Sequence, residues 1–206
     1  MGVDNVEKYM VNVATDLFLT LGFKSVTMDD IAVKMGVSKK TIYNFFENKE
    51  QLVNVAVFNL YDAITSGIES IRKQSENPIE ELFEVKMFLM QQLKGEKTSP
   101  QYQLQKYYPN IHKELIHKQF GFITQTVVKS LNKGVEMGLF RRNIDIDFIA
   151  RIYYNGINAI KNVELFPQES YPPDKLMASY LEYHLRAIVT EKGRQYLTPI
   201  LKTAYA

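Results

Sequence analysis

Across residues 6–21 the apolar side chains Tyr9, Met10, Val13, Ala14, Leu17, Phe18 and Leu21 recur every three or four positions, and Gly22 comes directly after them. The same spacing returns along almost the whole chain, while the every-second-residue alternation of a half-buried strand is nearly absent. A stripe with helical spacing on each segment can be buried only against other helices, so the sequence reads as all-α. Gly22 stands where a left-handed residue would close the first helix.

Caps and breakers divide the rest of the chain. Thr27 and Asp30 have capping-box spacing with Asp in place of Glu; Ile31, Ala32 and Met35 give the second helix an inward face, and Gly36 ends it. Ser38 then caps a short third helix running to about Phe45. Asn48 and Gln51 predict another box, opening a fourth helix through Leu52, Val55, Phe58 and Leu60 to about Lys73. Asn77-Pro78 starts a helix that Lys94-Gly95 ends, and Ser99-Pro100 starts a short segment halted near Pro109. Residues 110 to about 137 are helical again, closing at Gly138. Two amphipathic helices, 145–165 and 174–191, and a short tail from Thr198-Pro199 complete roughly nine or ten helices.

Of the 25 Phe and Tyr residues, six lie at or before Phe46 and 19 after it, so a small three-helix head, 1–50, precedes an aromatic-rich helical part, 51–206. The chain has no cysteine, which excludes disulfide frameworks and thiolate metal sites. Its start lacks the basic and apolar run of a signal peptide, and no apolar stretch nears the ~18 residues of a membrane span. A cytoplasmic protein without membrane partners is expected. The net charge of +2 would suit nucleic acid poorly if spread evenly, but across 36–49 Lys39, Lys40 and Lys49 face a single acidic residue, Glu47.

A helix, a turn through Gly36-Val37 and a second helix from Ser38 fit the helix-turn-helix, whose second helix enters the major groove with its first residues toward base edges. Lys39, Lys40 and Thr41 take those positions, Tyr43 and Asn44 the outer side, and Ile42, Phe45 and Phe46 the inner side. Lys49 falls in the first turn of the fourth helix, where backbone N–H groups and a lysine together favour a phosphate. The competing reading makes Lys39 and Lys40 a solvated helix start and Tyr43 a half-buried core ring. Cations near a helix N-terminus are unfavourable by roughly 0.3–1 kcal/mol, however, so that placement calls for a compensating partner.

Residues 27–52, TMDDIAVKMGVSKKTIYNFFENKEQL, resemble the DNA-binding signature of the TetR/AcrR family of bacterial transcriptional regulators. The likeness lies in T-x-x-x-I-A (Thr27, Ile31, Ala32), the G-V-S turn, T-I-Y-x-x-F and N-K-E-x-L. It implies an all-α homodimer whose N-terminal domains read a near-palindromic operator and whose C-terminal domain, 51–206, binds a small molecule and dimerises. In that family the residues matching Lys39, Lys40 and Thr41 approach bases and those matching Thr27, Tyr43 and Lys49 approach phosphates; Ser38 and Asn44 complete the expected surface.

The resemblance also places one end of a ligand cavity near residues 101–115, where Tyr102, Tyr107 and His112 surround a proline break. With Leu82, Val85 and Leu89 before it, Phe120 and Ile123 after it, and Tyr153 and Asn158 later, a mainly apolar pocket with a few neutral handles is expected. Aromatic and apolar residues at helical spacing are more often ordinary core, which is the competing reading for each of them. A charged ligand would need its own partner charge, for which Lys106 and Arg151 are candidates. The dimer seam is expected on the last two long helices, at Ile149, Tyr153, Gly156, Ile157 and Ile160, then Tyr180, His184 and Ala187, with Gly156 and Ala187 permitting close approach.

His112 and His117 miss the i, i+4 spacing of a metal pair, and neither G-x-S-x-G, a Walker loop nor G-x-G-x-x-G occurs. No cofactor, metal or enzymatic activity is expected. The reading is a one-component repressor, released from its operator by a small apolar or aromatic effector. The alternatives are a small-molecule binding helical protein without operator recognition and an effector-independent DNA-binding protein.

Overall fold

The computed structural model describes residues 3–92 and 100–204. Ten helices occur among them: α1 (Val3–Leu21), α2 (Met28–Met35), α3 (Lys39–Tyr43), α4 (Lys49–Gln74), α5 (Pro78–Gln92), α6 (Pro100–Tyr107), α7 (Pro109–Glu136), α8 (Ile146–Ala159), α9 (Pro173–Ile188) and α10 (Glu191–Ala204). Among the described residues the only β pairing is an isolated antiparallel bridge between Phe140 and Val189. The all-α class follows from the helical spacing of the apolar side chains. The expected helix end at Lys94-Gly95 lies outside the described residues.

The caps form as their chemistry requires. Asn77 Oδ1 accepts from the amides of Ile79 and Glu80 at 3.0 and 3.1 Å. Asn48 Oδ1 accepts from the Gln51 amide at 2.9 Å, but the Gln51 side chain returns to the amide of Glu47 at 2.6 Å rather than to Asn48, so the box is closed one residue early. Gly138 closes the turn after α7 with φ 72°, a conformation that would strain a residue bearing Cβ.

Four expected helix ends are corrected. The third helix stops at Tyr43 rather than Phe45. The helix of 145–165 ends at Ala159, because tight turns bring the amides of Lys161 and Asn162 to the carbonyls of Asn158 and Ala159, and Asn162 Oδ1 accepts from the Glu164 amide at 2.9 Å. The helix of 174–191 ends at Ile188, where the Arg141 amide takes the Ile188 carbonyl at 2.8 Å and the Thr190 amide donates to Leu139 at 2.9 Å. Those bonds pull Val189 into extended backbone. The short tail expected from Thr198 is instead the second half of a helix that restarts at Glu191, with Thr190 Oγ1 accepting from the Gly193 amide at 3.1 Å; Pro199 lies inside it.

The described residues fall into two compact units, Met1–Ser66 with Gln91–Lys118, and Gly67–Met90 with Gln119–Ala206. In the first, Met10, Ala14 and Phe18 of α1 pack with Ile31, Ile42, Phe46, Leu52 and Leu104. Full burial of side chains of this size stabilises by roughly 1.5–3 kcal/mol each. The second unit centres on Ile79, Leu131, Phe140, Ala150, Leu181, Leu185 and Ile188. It also buries charge: Glu81, 3% exposed, accepts from Arg72 Nε at 3.1 Å and from the Ser130 hydroxyl. No described helix is long and apolar enough to cross a membrane.

Candidate nucleic-acid interface

The interface is built on two caps and one left-handed turn. Thr27 Oγ1 accepts from the Asp30 amide at 3.1 Å, while Asp30 Oδ2 accepts from the Thr27 amide and hydroxyl at 2.7 Å each. The Thr27 N–H and hydroxyl hold the Asp30 carboxyl below the usual carboxylate range. Gly36, at φ 67°, turns the chain from α2 toward α3, and the Val37 amide returns to the Ala32 carbonyl at 3.0 Å. Ser38 Oγ then accepts from the Thr41 amide at 3.1 Å and caps α3.

With five residues α3 is too short to persist on its own. Ile42, fully buried, and Phe46, 1% exposed, anchor it on the first unit's core, with Phe45 half-buried beside them. That anchoring leaves Ser38, Lys39, Lys40, Tyr43 and Asn44 exposed and Thr41 half-buried. Lys39 Nζ pairs with Asp29 Oδ2 at 2.7 Å, and the Asp29 carboxylate raises its pKa. Asp29, unremarked in the sequence, is thus the partner that a cation at this helix start requires. The two residues are ten apart with no motif joining them, so only the turn brings them together.

Lys49 departs from the expected arrangement. Its ammonium donates to the Phe23 carbonyl at 2.6 Å and lies 6.0 Å from the Phe18 ring centre, and burial lowers its pKa. The side chain therefore ties α4 to the loop after α1 instead of standing free. Thr27, by contrast, is exposed, though its hydroxyl is engaged by Asp30.

The residues expected around a ligand are divided between the units. Tyr102 and Tyr107 of the first unit are exposed, each 5.7 Å from Lys106 Nζ, and His112 is half-buried, with its pKa lowered by that burial. In the second unit Leu82, Val85, Leu89, Phe120, Ile123 and Asn158 are half-buried and Tyr153 is buried. Asn158 Nδ2 donates to the Tyr154 carbonyl at 3.1 Å, one turn back. Neither expected charge points to an interior: Lys106 is exposed, and exposed Arg151 pairs with Asp147 at 2.8 Å and lies over Phe120. A lysine passed over in the sequence, Lys86, is 9% exposed; its spacing from Ile79 and Phe83 on one helical stripe was the available signal. Among the described residues no three His, Asp or Glu side chains gather as a metal site.

On α8 and α9, Tyr153 and His184 are buried with ring centres 4.9 Å apart, and Tyr180 donates to the Tyr153 carbonyl at 2.8 Å. A Cβ on Gly156 would meet the Tyr180 ring at 2.3 Å, so this glycine serves helix contact within the protomer. Ile149, Ile157 and Ile160 are half-buried, and Ala187 is exposed. Phe148, Ile152 and Tyr183, exposed by 56, 47 and 75%, form the more accessible apolar surface of these helices.

The model of the bacterial regulatory proteins of the tetR family matches residues 11–56, from within α1 into α4. KstR2, a helix-turn-helix transcriptional repressor of Mycobacterium tuberculosis, is 24% identical over 149 residues, 69% of this chain and 72% of that protein. Residues 11–56 thus carry the regulatory domain of the tetR family. An uncharacterised regulator of Bacillus subtilis, YhgD, is 31% identical over 80 residues, 39% of this chain and 38% of its own. In fold the chain is similar to a TetR-family regulator from Cytophaga hutchinsonii, with TM-score 0.74 at 16% identity over 91% of this chain and 96% of that one. The TetR-family segment thus coincides with the capped helices and the turn that expose Lys40, Tyr43 and Asn44.

Proposed function

We propose that the protein is a one-component repressor of the TetR family. As a homodimer it binds a near-palindromic operator through residues 1–50, and a small molecule with an apolar or aromatic body, held by residues 51–206, releases it. The observation that carries the reading is the short α3, anchored by Ile42 and Phe46, which presents Lys40, Thr41, Tyr43 and Asn44 outward. Two such heads related by a two-fold axis would meet the major groove about 34–36 Å apart, or a multiple of that. KstR2, a repressor, supports the sign of the regulation. The cytoplasm, where the operator lies, is the place of action.

Release requires an effector that prefers the conformation unable to bind DNA. Reversing an occupancy of 99:1 takes about 10⁴-fold differential affinity, or about 5.5 kcal/mol, which burial of a medium-sized apolar ligand can supply. Helix α4 runs from Lys49 to Gln74 and contributes to both units, which supports it as the element that carries the change.

Genomic footprinting and then operator titration test the proposal. One near-palindromic site should bind at least ~10³-fold tighter than random DNA, and a ligand should abolish that preference. Equal affinity for all sequences would favour an effector-independent DNA organiser.

A further inference from the structure

We infer that Lys24 and Lys106 form a second, sequence-independent DNA contact, on phosphodiesters that flank the operator; this rests on the operator-binding repressor proposed above. Helix α6 lies far along the chain from residues 27–52, where the DNA surface is expected, yet it belongs to the same compact unit as α1, α2 and α3. Gln103 of α6 fixes it to the loop after α1. Its Oε1 accepts from the Lys24 amide at 3.2 Å, and its side chain covers Gly22 so closely that a Cβ there would clash with it.

That attachment brings two lysines to one ring. Lys24 Nζ lies 5.4 Å and Lys106 Nζ 5.7 Å from the ring centre of Tyr107, and Lys106 Nζ is also 5.7 Å from that of Tyr102. All four side chains are exposed. Among the described residues neither ammonium makes an ion pair or a hydrogen bond. The carboxylates at the start of α2 are engaged elsewhere, Asp29 by Lys39 and Asp30 by Thr27. Two like charges at one ring repel each other, and a ring face at an exposed site offsets this only weakly, so an anion that meets both gains from each.

The place of Lys24 selects the partner. The preceding residue, Phe23, gives its carbonyl to Lys49 in the first turn of α4, and three residues after Lys24 stands Thr27, the cap of α2. Lys49 is spent on that carbonyl, which leaves Lys24 and Lys106 as cations without a carboxylate beside the helices that position α3. A duplex running on past its operator offers a regular row of phosphates, one charge per ~1.7 Å of helix axis. Separate point charges on flexible stems suit such a row, which carries no base information.

The footprinted operator is prepared as a duplex ending at the site and as one extended by about one turn, ~10 base pairs, on each side. Both are titrated over a range of salt with the full chain, wild type and the double variants Lys24→Gln/Lys106→Gln and Lys24→Arg/Lys106→Arg. Wild type should bind the longer duplex roughly tenfold tighter, whatever the flank sequence, and with a steeper salt slope. The Gln pair should lose that gain, lower the slope on the longer duplex by about one per lysine contact removed, and bind the short duplex as wild type does, with helix content and melting temperature retained. The Arg pair should keep the gain. The assignment fails if flanks add nothing to wild-type affinity, if the Gln pair keeps the gain or weakens the short duplex equally, or if the Arg pair loses it. With operator preference intact, each of these failures removes the flanking contact alone; equal binding of operator and random DNA by wild type removes the repressor reading on which it rests.

Discussion

Single side chains decide how much of the proposed DNA surface is free to act. Lys39 is paired with Asp29 and Lys49 with the Phe23 carbonyl, which leaves Lys40 as the exposed cation of α3 without a described partner. Lys40→Ala should therefore weaken binding to operator and random DNA alike and reduce the salt slope by about one, while Thr41→Ala should relax specificity at one base pair. Titrations at several salt concentrations against operator variants check both; unchanged binding in both variants would move the reading surface away from α3. His184 makes a second prediction at this scale. Burial depresses its pKa from 6.5 to about 4, so between those values the unfolded chain takes up a proton that the folded chain does not. Stability should be fully present above about pH 6.5 and fall by roughly 3 kcal/mol as pH drops to about 4, with no further loss from this group below that. His184→Leu should flatten this limb in urea unfolding measured across pH; an unchanged limb would assign it to other groups.

At the scale of elements, the junction of α9 and α10 shows what local spacing cannot supply. The apolar periodicity continues through Val189, yet the helix breaks there because backbone groups of Leu139 and Arg141 compete for those of Ile188 and Thr190. Thr190 then serves both sides of the break: its hydroxyl donates to the Gly138 carbonyl at 2.7 Å and accepts from the Gly193 amide. Thr190→Ala should cost about 1–2 kcal/mol in chemical denaturation, as loss of an N-cap does, whereas Thr198→Ala should cost less. Equal effects would restore Thr198 as the start of the last helix. The same contrast explains α3. Ser38 and Gly36 mark its start legibly, but Asn44 and Phe45 fall in turns because the anchoring of Ile42 and Phe46 fixes the path.

For the whole molecule, the proposed dimer can be sharpened by exposure. Gly156, Tyr153 and His184 are spent on packing within the protomer, so the partner-facing surface of α8 and α9 should centre on Phe148, Ile152 and Tyr183. Ile152→Arg should give monomers by light scattering with helix content and melting temperature retained, since the side chain is already 47% exposed. A dimer that survives it would place the seam elsewhere.

The sequence by itself determined the all-α class and the starts of α2, α3 and α5, because caps, turns and helical stripes act between residues three to four apart. Only the tertiary structure decided which of those side chains are free. Asp29 meets Lys39 across a turn, the Phe23 carbonyl takes Lys49, and Tyr180 fills the space over Gly156. Each of these results from a contact between segments far apart in the chain, or from which side of a helix another element covers. Local spacing shows where a side chain points along its helix, but not what stands opposite it.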